Sequence, residues 1–393
     1  MRRGRLAVQV GLVLVVALLA GLILLGRTPS PQLAGAMASP ISSESPSAEP
    51  WDLDADIGSV IVLSWSGRVG WPTIQPLLVK YKIGGVLLFT PNFGGTPAGV
   101  KQWSDRLQAL ASSQCLEHPI LTMLDEEGGE VANVKASFAP PWPRAMAPQG
   151  PDVVRELERI NGAGLRSAGV DLNLAPVADV RINPLDDVIG DRSFGSNPSV
   201  VAPLVGAAVQ GLHAGGVGAT LKHFPGLGGA AGNPHVAIPT DPESETTWQK
   251  VQLPGFRAGI VAGADAVMVT SVYVPGLGAG STPAVFSSSV IGRLRTQLGF
   301  GGVIMSDSLS MYGIGVKWPL AQAAVMALAA GNDMLLLSNG DPSYEVSAIV
   351  AIKSAVLSGR LDRTKLHESA MRVNALRDRW GRRFTPCPEP QTA

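Results

Sequence analysis

From Trp51 onward the chain alternates between two hydrophobic patterns. The first is a short, nearly continuous apolar run bounded by Gly, Pro or Asp. It occurs at SVIVLSW (59–65), GGVLLF (84–89), PILTML (119–124) and VDLNLAPV (170–177). It recurs at VGATLKHF (217–224), DAVMVTSV (265–272), GGVIMSD (301–307) and NDMLLL (332–337). A strand covered on both faces of a parallel sheet has this appearance. The second pattern is amphipathic with helical period, as in 98–113, where Val100, Trp103, Leu107 and Leu110 share one face. Eight strand-like runs alternating with helices over about 300 residues predict an α/β fold, a (β/α)8 TIM barrel forming one domain over 51–383. A doubly wound open sheet is the alternative. Helices near 343–358 and 362–379 are expected to close the outer ring, followed by a tail, 384–393.

The first fifty residues follow neither pattern. Arg2, Arg3 and Arg5 precede an apolar run from Leu6 to Leu25 whose only polar residue is Gln9. About twenty helical residues at about 1.5 Å each reach roughly 30 Å, the thickness of a bilayer core. Basic residues on the N-terminal side direct the remainder of the chain outward. Residues 1–26 therefore read as a signal or anchor helix, with retention favoured because the small-residue motifs Ala34-Gly35-Ala36 and Ala36-Met37-Ala38 lie well past the run. Residues 27–50, rich in Pro, Ser and Ala, read as a flexible linker. The expected location is extracytoplasmic, tethered by the helix or secreted after cleavage.

Composition narrows the function. Lys plus Arg and Asp plus Glu each total 31, so the formal charge is zero and no footprint for nucleic acid exists. The two cysteines, Cys115 and Cys387, match neither a zinc site nor a disulfide scaffold. One Cys115–Cys387 bond in an oxidising compartment and two unrelated thiols both fit. No metal or organic cofactor is implied.

Candidate chemistry lies where a barrel carries it, at the C-terminal ends of the strands. Asp125 follows the third run, Asp179 the fourth, Lys222-His223 end the fifth and Asp307 ends the seventh. Single polar residues there are commonly caps or turns, but four converging strand ends point to one pocket mouth. Lys222 also admits a Schiff-base reading, in which burial would depress its pKa.

These strand ends resemble family 3 glycoside hydrolases, the NagZ-type β-N-acetylhexosaminidases in particular. The resemblance rests on LDEEGGEV (124–131), DLNLAPVADV (171–180), VIGDRSFGSNP (188–198), LKHFPGLG (221–228) and VIMSDSLSM (303–311), in that order. It implies a retaining glycosidase acting on a terminal β-linked sugar of a glycan or cell-wall fragment, with Asp307 as nucleophile. It also implies that Asp125, Arg192, Lys222 and His223 contact the sugar, with nearby cations keeping Asp307 ionised.

In the loop KHFPGLGGAAGNPH the resemblance makes His235 the acid/base, and Asn233 stands where the family places an orienting aspartate. A neutral partner stabilises an imidazolium less, so a lower His235 pKa and a slower enzyme are expected. Further departures are Glu130 and Asn133 for arginines, Ser271 for a histidine, and Ser308 for a second aspartate beside the nucleophile. The rivals are a carbohydrate-binding pseudoenzyme at the cell surface and a phosphorolytic variant.

Overall fold

The computed structural model describes residues 51–382 apart from Ser66, Arg68, Asp187 and His235. The N-terminal apolar run, the Pro/Ser-rich linker, the tail and Cys387 therefore lie outside the described residues. Among the described residues no helix is long and apolar enough to cross a membrane. Cys115 is disulfide-bonded.

Each of the eight apolar runs contains a strand: β1 Ile61–Trp65, β2 Gly85–Leu87, β3 Leu121–Leu124, β4 Leu172–Asn173, β5 Gly218–Phe224, β6 Ala266–Val269, β7 Val303–Ser306 and β8 Leu335–Gly340. They form one sheet in the order β8-β1-β2-β3-β4-β5-β6-β7, and all its ladders are parallel. A parallel bridge between Met305 and Met334, with Ser306 N–H donating to Met334 O at 2.9 Å, joins β7 to the start of β8. The sheet thus closes on itself, which excludes the open doubly wound alternative.

Both faces of the strands are dry, for different reasons. Val62, Leu87, Leu121, Met123, Leu172, Ala266, Met268, Val303, Met305 and Leu336 turn inward and pack together. Their alternating neighbours, such as Ile61, Leu63, Val86, Ile304, Leu335 and Leu337, join the larger core beneath the helices. Burial on both sides explains why the runs are continuous rather than alternating. The helix expected over 98–113 spans Pro97–Ser113, and Thr96 caps it by accepting from Gly99 N–H at 3.1 Å.

The final helix, Arg363–Trp380, corrects the expectation of a closed outer ring. Its Val373 and Leu376 belong to the inner apolar cluster, so the helix seals the N-terminal end of the barrel. Buried aspartates there tie neighbouring strands together. Asp171, Asp265 and Asp333 precede β4, β6 and β8 and accept the backbone N–H groups of Thr122 (2.9 Å), Ala219 (3.0 Å) and Ile304 (2.8 Å). Arg379 and Arg372 of the sealing helix reach Asp265 and Asp333 at 3.2 and 3.0 Å.

Candidate active site

A cavity of about 520 Å³ opens at the C-terminal ends of the strands. Inner-layer residues Leu87, Leu174, Met268 and Leu336 form its apolar floor, and Asp125, Glu127, Arg192, Lys222, His223 and Asp307 line it. Five site residues expected from the sequence, Asp125, Arg192, Lys222, His223 and Asp307, therefore share one space.

The polar groups form a hydrogen-bonded chain of alternating charge. Asp179 is buried behind His223 and accepts from its backbone N–H at 3.1 Å and from Nδ1 at 2.7 Å. Its second oxygen accepts Leu227 N–H at 2.8 Å. With its Nδ1–H donated to Asp179, His223 accepts at Nε2 from Arg192 Nη2 at 3.1 Å. Arg192 then grips Glu127 with a two-pronged contact, Nε to Oε2 at 2.7 Å and Nη2 to Oε1 at 2.8 Å. Lys222 Nζ completes the chain, 2.5 Å from both Glu127 Oε1 and Asp125 Oδ1.

Local structure explains how consecutive residues reach the same space. The register of β5 against β6 shifts between Leu221 and Phe224, so Lys222 and His223 both line the cavity. Glu127 arrives on a two-stranded hairpin, Glu126–Gly128 with Val131–Ala132. Gly128 and Gly129 supply positive φ values of 99° and 58° for its turn.

Glu127 is the residue that sequence reasoning missed. Burial opposes its ionisation, but Lys222 and Arg192 outweigh burial and hold its carboxyl well below the usual carboxylate range. Burial likewise opposes charge on Lys222, yet Asp125 and Glu127 raise its pKa above the ordinary lysine value. That contradicts the depressed amine a Schiff-base lysine needs, and the lyase reading falls.

Asp307 stands apart from this chain. It follows β7, half-buried, and accepts Thr270 Oγ1–H at 2.8 Å and its own neighbour Ser308 N–H at 2.7 Å. Among the described residues the ion pairs of Arg192 and Lys222 are with Glu127 and Asp125. Asn133 lies at the rim, donating to Asp125 O at 2.7 Å and accepting from Thr90. Ser271 is buried and Glu130 exposed. On the loop after β5, Asn233 O accepts Val236 and Ala237 N–H at 2.9 and 3.0 Å, and Pro234 lines the cavity. His235 itself lies outside the described residues.

Residues 68–376 match the family described as glycosyl hydrolase family 3 N terminal domain. The chain belongs to glycosyl hydrolase family 3. A curated family 3 relative, the beta-hexosaminidase of Methylobacillus flagellatus, is 37% identical over 266 residues, covering 65% of this chain and 74% of that protein. Beta-hexosaminidase LpqI of Mycobacterium tuberculosis is 32% identical over 314 residues, 77% of this chain and 78% of the relative. Among solved structures, a family 3 beta-N-acetylglucosaminidase from Paenibacillus sp. superposes with a TM-score of 0.80 at 32% identity. That match covers 87% of this chain and 66% of the longer Paenibacillus chain. As a family 3 member the chain is a glycoside hydrolase, and the cavity is where its carbohydrate substrate has room to bind.

Proposed function

We propose that this enzyme is a retaining β-N-acetylhexosaminidase that removes terminal β-linked N-acetylglucosamine from cell-wall glycan fragments through a glycosyl-Asp307 intermediate. One observation carries the reading. Of the three carboxylates lining the cavity, Asp125 and Glu127 are engaged by cations, whereas Asp307 accepts from two neutral donors, Thr270 and Ser308, that fix its orientation. A carboxylate positioned at the cavity wall without an ion pair keeps the electron density that attack on an anomeric carbon requires. The relatives' names supply the sugar class.

In the first step an Asp307 oxygen bonds to the anomeric carbon as the glycosidic bond breaks, and the leaving oxygen takes a proton from His235. In the second, His235 takes a proton from water, the water oxygen bonds to the anomeric carbon, and Asp307 leaves as carboxylate. Asp125, Lys222, Arg192 and His223 hold the ring hydroxyls with charge-assisted hydrogen bonds. Asn233 in place of an orienting carboxylate favours a slow acid step, and in the limit a carbohydrate-binding protein with little turnover.

Asp307→Ala tests the reading. Release of the aryl group from an activated aryl N-acetyl-β-glucosaminide should fall by about 10³-fold or more while unfolding temperature is kept. Unchanged release would refute the nucleophile, and no release by the wild-type enzyme across a sugar panel would favour the binder.

We also propose that the enzyme works outside the cytoplasm, tethered by residues 1–26 through the 27–50 linker. The basic-flanked apolar run supports this, as does the disulfide at Cys115, a bond that persists in oxidising compartments. Fractionation of an epitope-tagged full chain should place it with membranes facing outward; recovery in the cytosol with reduced thiols would contradict it.

A further inference from the structure

The segment after Asp307 runs through Ser308–Met311 into a short helix, Tyr312–Gly315. The loop after β5 lies directly on that helix. A Cβ built on Gly313 would stand 2.8 Å from Ile238 N, 3.0 Å from Ala237 C and 3.0 Å from Pro234 O. All three are backbone atoms of the loop; the first is closer than real Cβ atoms come, the other two are tight enough that the backbone must shift, and no flexible side chain is available to swing away. Two residues on, Gly315 faces open space, with nothing within 4 Å of its would-be Cβ.

The loop is also held at its base. Ala231 and Thr240 bridge antiparallel and Thr240 bridges Tyr273, while Gly228 O accepts Ile182 and Asn183 N–H at 3.0 and 2.9 Å. Between these anchors, Val236 and Ala237 N–H fold back onto Asn233 O. With its base fixed, the tip packs on the nucleophile's side of the cavity against the bare Cα of Gly313.

We infer that Gly313 is a positioning residue for glycosidic cleavage: its missing side chain lets the loop tip dock against the Asp307 segment. The contact sets the distance between the acid on the loop and the nucleophile on β7. It rests on the reading of His235 as the acid. Reacting groups misplaced by about 1 Å lose on the order of 100-fold in rate, so a methyl group at Gly313 costs the step that needs the loop. Attack by Asp307 on a substrate whose leaving group needs no proton is spared.

The test compares Gly313→Ala with Gly315→Ala in the full-length protein, on an unactivated N-acetylglucosaminyl glycoside and on a 2,4-dinitrophenyl one. For Gly313→Ala, kcat on the unactivated substrate should fall on the order of 10-fold or more beyond any fall on the activated one. KM should change little, and Gly315→Ala should match wild type on both. Equal losses on the two substrates, or none, would overturn the inference.

A background with residues 233–238, which carry all three contacting backbone atoms, replaced by a shorter glycine linker guards against misfolding. There Gly313→Ala should fold and cost nothing further. A Gly313→Ala chain that unfolds, or loses the same activity, in that background too would show that the methyl group acts elsewhere. His235→Ala separates the two layers. Equal loss on both substrates removes the acid reading itself, whereas a selective loss there beside a uniform loss in Gly313→Ala sinks only the seat.

Discussion

At the residue scale, the cavity divides its carboxylates by partner: Asp125 and Glu127 pair with cations, while Asp307 accepts from neutral donors. Glu127 shows the cost of disturbing that division. It is buried between Arg192 and Lys222, both of them largely or wholly out of solvent, and removing one member of such a cluster leaves charge without compensation. Glu127→Gln should therefore lower stability by about 3 to 5 kcal/mol in urea unfolding and raise KM, because the two cations lining the cavity lose their common anchor. Unaltered stability with unaltered KM would show that Arg192 and Lys222 are held by other groups. The sequence made Asp125, Lys222, His223 and Asp307 legible because each ends an apolar run. Glu127 was not, since three acids stand together at 125–127 and no pattern says which turns inward. The hairpin decides: Glu126 Oε2 turns away to accept Val134 N–H at 2.9 Å, while Glu127 folds over the barrel mouth. The Gly128-Gly129 pair was the signal of a tight turn there.

At the scale of elements, all eight strands were readable from continuous apolar runs, because burial on both faces removes polar positions. The role of the last helix was not. Its stripe of Val373 and Leu376 among arginines looks like that of any outer helix, and only the third dimension sends it across the barrel's end. Leu376→Ala should cost about 2 to 5 kcal/mol of stability, the usual cost of a cavity in a packed core, and leave KM for an aryl glycoside unchanged, since the catalytic mouth is at the opposite end. A cost below about 0.5 kcal/mol, the range of surface substitutions, would contradict the sealing role.

At the scale of the whole molecule, a chain of zero net charge buries several carboxyl groups that the cavity does not use. Burial pushes Glu126 up to about 8, and Glu158, Asp171 and Asp241 to about 7. Each binds its proton more tightly folded than unfolded. The resulting stabilisation is complete below the unfolded values near 4 and is lost as pH rises toward the folded ones. Unfolding temperature should therefore decline between about pH 5 and 8, and Glu126→Gln should flatten that decline because its amide oxygen still accepts from Val134. A variant with the wild-type slope would remove Glu126 from the account.

The proposed function turns on one bond, between Asp307 and a sugar. Its direct test is trapping of the wild-type enzyme with a fluorinated N-acetylglucosaminyl fluoride, followed by peptide mass mapping. The account predicts one added glycosyl group, on the peptide carrying Asp307. A glycosyl group on the peptide of Asp125 and Glu127, or none on an enzyme that turns over, would contradict it.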